Sequence, residues 1–239
     1  MMNFEGKNIL VVGGSSGIGL SLVRLLVMNG ATVYNISRTK NANWPEGIMH
    51  LSLDVLGDVR AIADFLPEHL HGLVYSVGSI NLKPFARLTD EDFLNDYRIN
   101  VLGAAKVIQQ AMKALKAAKT ASIVLISSVA ARSGMSFHGS IAAAKGAVES
   151  MALSLAAELA TSHIRVNVVA PSLTDTPLSQ NLLNTTERRE AANKRHPLGR
   201  HGLPEDISSA IAFLLADESS WMTAQIIGID GGLGKLKTN

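Results

Sequence analysis

The chain has no cysteine among its 239 residues. That excludes disulfides, thiolate zinc sites and a cysteine nucleophile, and it agrees with a reducing compartment. Charge of one sign is also scarce, since 22 Lys and Arg stand against 20 Asp and Glu for a formal net charge of +2. So small an excess argues against a polyanion-binding protein, and nucleic acid is not an expected partner. No apolar run approaches the roughly 18 residues of a membrane span, and the opening MMNFEGKN lacks the apolar stretch of a secretory signal. The expectation is a soluble cytoplasmic protein with no membrane partner. Phenols are few as well: Tyr34, Tyr75 and Tyr97 are the only tyrosines.

What is present is a long apolar chain, 47% hydrophobic, able to bury one full core, and residues 1–239 read as a single domain. Short apolar runs alternate with stretches of helical period. Strands are expected at 8–12, 31–37, 48–53, 72–77, 122–127, 165–170 and 225–230, and the first helix ends at Gly30. Further helices are expected near 58–66, 90–118, 141–162 and 204–216. Strands alternating with helices imply a mostly parallel sheet covered on both faces. No linker, charge block or internal repeat divides the chain. The alanine-rich pieces AAKVIQQAMKALKAAK and AAAKGAVESMALSLAAELA keep an apolar face and suit closely packed helices. One long irregular region, 172–200, follows the sixth strand, where it would cover a ligand site at the carboxyl ends of the strands.

Between the first strand and helix lies VGGSSGIG, residues 12–19. Gly13, Gly17 and Gly19 allow a tight turn and close approach of backbone to a ligand, and a helix N-terminus favours a pyrophosphate. A nucleotide is the expected ligand. The spacing is G-x-x-x-G-x-G, and with it the sequence resembles the short-chain dehydrogenase/reductase family. The resemblance spans nearly the whole chain: Asp54 in LDV, Asn100 in RINVLG, SIVLISS, the A-A-A-K segment, RVNVVAP, HPLGRHGLPEDI and TAQIIGIDGG. It implies an α/β fold with a doubly wound (Rossmann) seven-stranded parallel sheet, a nicotinamide dinucleotide cofactor and a homotetramer, with a hetero-oligomer containing an active paralogue as another possible assembly. It also implies cofactor contacts from Gly13, Ser15, Ser16, Gly17, Ile18, Gly19, Asp54, Val55, Gly78, Lys145, Thr174 and Thr176.

The end of the second strand bears on which nicotinamide cofactor is used. An acidic residue there would accept from a ribose 2′-hydroxyl and repel a 2′-phosphate. Ser37 and Arg38 stand there instead. A guanidinium can pair with the phosphate and a serine can donate to it, so NADP(H) is expected.

At the chemistry end, the family uses a tyrosine four residues before a lysine on one helix, a serine thirteen residues before the tyrosine, and an asparagine that positions water to the lysine. Asn100, Ser128 and Lys145 match this pattern. The tyrosine position is Ile141, counted either back from Lys145 or forward from Ser128. Isoleucine has no proton to give, so the family's acid–base step cannot run through it. Of possible substitutes, His138 lies three residues before Ile141 on a loop that borders substrate in the family, and imidazolium is a competent acid near neutral pH. Tyr75, at the end of the fourth strand, is a second candidate. The family's N-N-A-G is Tyr75-Ser76-Val77-Gly78 here, and its P-G is Pro171-Ser172.

Two functions are therefore in play. One is an NADP(H)-dependent oxidoreductase acting on a ketone or secondary alcohol with atypical proton delivery. The other is a non-redox or catalytically impaired NADP(H)-binding partner subunit or sensor. No metal site is expected. Arg188, Arg189, Lys194, Arg195 and Arg200 make the segment over the site basic, which suits an anionic or carrier-bound acyl substrate, although a solvated charged helix is the better account.

Overall fold

The computed structural model describes residues 2–236. Its strands are β1 (Asn8–Val12), β2 (Thr32–Ser37), β3 (Met49–Ser52), β4 (Gly72–Tyr75), β5 (Ala121–Ile126), β6 (Ile164–Pro171) and β7 (Ile226–Ile229). They form one sheet in the order β3-β2-β1-β4-β5-β6-β7, and every pairing is parallel. Parallel neighbours need crossovers, and the main helices supply them: α1 (Gly17–Met28), α2 (Ala61–Phe65), α3 (Asp90–Tyr97), α4 (Gly103–Ala117), α5 (Gly139–Leu159), α6 (Thr186–Arg195) and α7 (Pro204–Leu215). This is a doubly wound, Rossmann-type sheet, and its order reverses between β1 and β4, where such sheets bind ligands.

The strands read as continuous apolar runs because both faces are covered. Leu10 and Val12 of β1 join a cluster with α2, α4 and α5, whereas Ile9 and Val11 join another with α1 and α7. On the first face the alanines account for the close approach: Ala104 and Ala111 of α4 and Ala144, Ala152 and Ala156 of α5 are all buried.

Two expectations need correction. The helix expected over 90–118 is interrupted by a π turn, Arg98–Leu102, between α3 and α4. The wide turn takes backbone carbonyls out of the regular ladder, and side chains bond two of them: Asn100 Nδ2 donates to the Asp96 carbonyl at 2.8 Å, and the Tyr75 hydroxyl to the Ile99 carbonyl at 2.6 Å. Gly103 follows because a Cβ there would run into the Tyr75 hydroxyl. The region 172–200 is not irregular throughout. It holds a 3₁₀ turn, Pro177–Leu182, and the ten-residue α6, whose N-cap Thr185 accepts from the Arg188 amide.

Candidate active site

The phosphate end is built on the turn between β1 and α1. Gly17 has φ +52°, and a Cβ there would stand 3.1 Å from the Thr176 side chain. Gly19 lies so close to the Gly13 carbonyl that a Cβ could not fit. Asn35, fully buried in β2, accepts from the Gly14 amide at 2.9 Å and thereby fixes the turn. Two further side chains fasten the loop after β2 onto it: Asn41 Nδ2 donates to the Ser15 carbonyl at 2.7 Å, and Trp44 Nε1 to the Gly14 carbonyl at 2.8 Å. Ser16 is the exposed N-cap of α1, with its hydroxyl making no capping bond, and Ile18 packs on the α1/α7 core.

At the end of β2, Arg38 is exposed. Ser37, the expected phosphate donor, has its hydroxyl engaged within the chain. Its hydroxyl donates to the Thr39 carbonyl and accepts from Asn35 Nδ2, both at 2.9 Å, and it is buried in this network. Asp54 accepts from the Leu56 amide through Oδ1 at 2.9 Å. The Val55 side chain belongs to the core, so any ligand contact there is made by backbone.

At the carboxyl ends of β4 and β5, Gly78, Asn100 and Lys145 converge. A Cβ on Gly78 would lie 3.3 Å from Asn100 Oδ1 and 3.5 Å from Lys145 Nζ. The ammonium donates to the Ile126 carbonyl at 2.8 Å, and burial pushes its pKa down to about 8, with the charge of Asp96 acting in the opposite sense. Asn100 Nδ2 also donates to Ser79 Oγ at 3.0 Å. Among the described residues, two buried side-chain oxygens lack a hydrogen-bond partner, Asn100 Oδ1 and Asp96 Oδ2. Both belong to this corner, which therefore fits a polar guest with hydrogens to donate.

Ser128 accepts from the Ala130 amide at 3.2 Å, an arrangement that leaves its hydroxyl hydrogen free to donate. The preceding Ser127 donates to Glu149 at 2.9 Å, and Glu149 also holds Arg132 at 2.7 Å, so a buried carboxylate braces the loop after β5. Ile141 and Lys145 are both buried on one face of α5, one turn apart. His138 is the N-cap residue of α5, and its Nδ1 lies 2.7 Å from the Ser136 carbonyl. A nitrogen facing a carbonyl carries the hydrogen, which leaves Nε2 as the ring atom for other partners.

Tyr75 is not a proton donor for this site. Its phenol is 3% exposed and bonded to Ile99, and burial pushes its pKa far above the usual tyrosine range. Tyr34 packs edge-on against Phe65, and Tyr97 is a surface residue.

The segment after β6 is tied down internally. Thr174 Oγ1 donates to the Ser172 carbonyl at 3.0 Å, and Ser179 Oγ lies 3.1 Å from Thr176 Oγ1. Part of its basic charge is paired within the chain: Arg189 with Asp175 at 2.7 Å and Arg200 with Asp206 at 2.6 Å. Arg188 bonds Asn184 Oδ1 at 2.9 Å. That favours the charged-helix reading of the segment over one in which its basic residues await an anionic or carrier-bound acyl substrate.

Sequence reading passed over Asn35, Asn41, Trp44, Ser79 and Asp96. Asn35 has a signal, an amide inside the apolar run TVYNIS. Asp96 has one as well, an acid four residues before Asn100 and so on the same helical face.

The chain is similar to known proteins over nearly its whole length. A family model described as enoyl-(acyl carrier protein) reductase matches residues 12–234. A tropinone reductase homologue of Arabidopsis thaliana is 37% identical over 245 residues, covering 96% of this chain and 93% of the relative. The 3-oxoacyl-[acyl-carrier-protein] reductase of Thermotoga maritima is 34% identical, covering 97% of this chain and 99% of its own. A crystal structure of a gluconate 5-dehydrogenase from Burkholderia cenocepacia, in complex with NADP and tartrate, superposes with a TM-score of 0.91 at 27% identity, covering 98% of each chain.

Proposed function

The chain belongs to the short-chain dehydrogenase/reductase family, and from that premise we propose that it is an NADP(H)-dependent oxidoreductase interconverting a ketone and a secondary alcohol, with a proton delivery unlike the family's. The observation that carries the reading is the corner formed by Gly78, Asn100 and Lys145, where the missing Cβ leaves room beside a buried ammonium and a free amide oxygen. The glycine turn supports it at the other end of the ligand. A bound nicotinamide dinucleotide would supply hydride chemistry there, held by the turn from Gly13 to Gly19 with Ser15, Ser16 and Ile18, by Asp54, Val55 and Gly78, by Lys145, and by Thr174 and Thr176.

The preference for NADP(H) rests on Arg38, exposed at the end of β2 with no acidic residue at that position or before it. The NADP held by the related gluconate dehydrogenase is consistent with it. In the proposed roles Ser128 polarises the substrate oxygen, Asn100 and Lys145 support it, and Ile141 occupies the position of the family's phenol. His138 is the proposed acid, delivering a proton from Nε2. Substrate is a small ketone or an acyl thioester, as suits relatives named for tropinone and 3-oxoacyl reduction.

The assembly proposed is a homotetramer. Leu94, Tyr97 and Leu153 are exposed apolar side chains on α3 and α5, and a groove of about 360 Å³ runs between these helices, lined by Phe93, Leu94, Tyr97, Ala143 and Ala147.

Ile141 itself favours the second reading, a nucleotide-binding partner subunit or sensor without turnover, which would pair with an active paralogue. The deciding experiment follows NADPH oxidation against a panel of ketones and 3-oxoacyl thioesters beside a direct NADPH binding measurement. Turnover supports the oxidoreductase. Binding without turnover on any member of the panel assigns the second role, and no binding removes both.

A further inference from the structure

Asp96 is part of no motif discussed above, yet it is a charged residue buried at the same corner. It is 2% exposed, on the face of α3 one turn before Asn100. One carboxylate oxygen accepts from Ser79 Oγ at 2.6 Å, and the other has no partner among the described residues. A buried carboxylate with a single hydrogen bond is costly unless an opposite charge answers it.

The surrounding charges narrow the choice of partner. Asp92, one turn earlier, is held by Lys83 Nζ and by Thr89. Glu149, one turn beyond Lys145 on α5, has its two oxygens bonded to Ser127 and Arg132. The Tyr75 phenol goes to the Ile99 carbonyl, and His138 Nδ1 to that of Ser136. Lys145 remains. It is 7% exposed, and its hydrogen bond goes to a neutral carbonyl, that of Ile126. Ser79 Oγ, which donates to Asp96, also accepts from Asn100 Nδ2, and the free Oδ1 of Asn100 and Lys145 Nζ both border the space beside Gly78, so carboxylate and ammonium belong to one corner without a direct bond between them.

We propose that Asp96, held by Ser79, is a positioning residue for Lys145: its carboxylate is the counter-charge that keeps the buried ammonium protonated in a site that has no phenol one turn upstream. The catalytic meaning of this pair rests on the reading of Lys145 given under Proposed function, but the pair itself does not. Burial drives Lys145 toward the neutral amine and Asp96 opposes it. Removing the carboxylate leaves burial unopposed.

The test uses the ligand-free full chain, so it can fail or succeed independently of any enzymatic activity. The Lys145 side chain is titrated by NMR on lysine-labelled protein, its signal assigned by its loss in Lys145→Met. The natural protein should titrate near 8, and Asp96→Asn should move the midpoint down by about half a unit or more, a loss of roughly threefold in the protonation constant. Asp92→Asn, whose carboxylate already pairs with Lys83, should leave it in place. A second measurement does not depend on the Asp96 variant folding. Lys145→Met strands the carboxylate, so its stability deficit against the natural protein should be smaller at pH about 5 than at pH about 8, where an unanswered buried charge costs most. A midpoint unmoved by Asp96→Asn, or a Lys145→Met deficit independent of pH, overturns the proposal. An Asp96 that merely holds Ser79 would lower the melting temperature of Asp96→Asn without moving the lysine.

Discussion

Replacing Ile141 by Tyr puts a phenol one helical turn before Lys145, on the face of α5 that buries both residues. Two effects follow, and their sizes can be compared. Ile141 is only 5% exposed, so the larger ring must displace packed neighbours, an overpacking cost of about 1–3 kcal/mol. At roughly 2–4 °C per kcal/mol for a chain of this size, melting should fall by about 2–12 °C. A positioned general acid contributes roughly 10²- to 10⁴-fold, equivalent to about 3–5 kcal/mol of barrier. The fold tolerates the first at room temperature, so the second should be visible.

The assay is kcat/KM for NADPH oxidation with one accepted ketone, measured with the NADPH dissociation constant, which should change by no more than about twofold because the glycine turn and Lys145 are untouched. His138→Ala is measured in both backgrounds. If His138 delivers the proton in the natural protein, its loss collapses natural activity but spares most of the activity of Ile141→Tyr. A folded, NADPH-binding Ile141→Tyr with no gain in rate refutes the argument that an absent phenol limits this site.

Arg38→Ala should erase most of a several-fold preference for NADPH over NADH, one charge-assisted phosphate contact being removed; equal affinities in the natural protein would contradict the assignment. Tyr75→Phe should cost about 1–3 kcal/mol of stability by stranding the Ile99 carbonyl, seen in thermal or urea unfolding, while leaving turnover within about twofold. For Lys145 the folded pKa is about 8 against an ordinary 10.5, so the unfolded chain binds more protons between those values. Its contribution should make stability rise with pH across that window, a rise absent in Lys145→Met. Light scattering at micromolar concentration should report a tetramer, and a monomer would leave the exposed Leu94, Tyr97 and Leu153 without their proposed partner.

The fold was legible because its signals are local. Strands buried on both faces are apolar without alternation, the glycines of the first turn can serve little else at that spacing, and the expected strand positions differ from β1 to β7 by only a few residues at their ends. The reading of Asn100, Ser128 and Lys145 as matches to the family's pattern, and of Ile141 as its vacant phenol position, likewise rests on sequence order alone.

Other features depended on where side chains found hydrogen-bond partners, and that is set by tertiary contact. Ser37 faces the end of β2 as expected, but the backbone of Thr39 takes its hydrogen. Tyr75 stands at the right end of the right strand, yet the π turn at Arg98–Leu102 offers it a freed carbonyl and turns it inward. The basic residues after β6 looked available in sequence, and Arg189 and Arg200 meet acids 14 and 6 residues away. Asp96 is an ordinary acid on a polar helix until folding removes water from around it and leaves one of its oxygens without a partner. Sequence determined which groups the chain carries and which elements carry them; only the packed structure decided which groups were left unpaired, because desolvation and pairing are properties of the finished core.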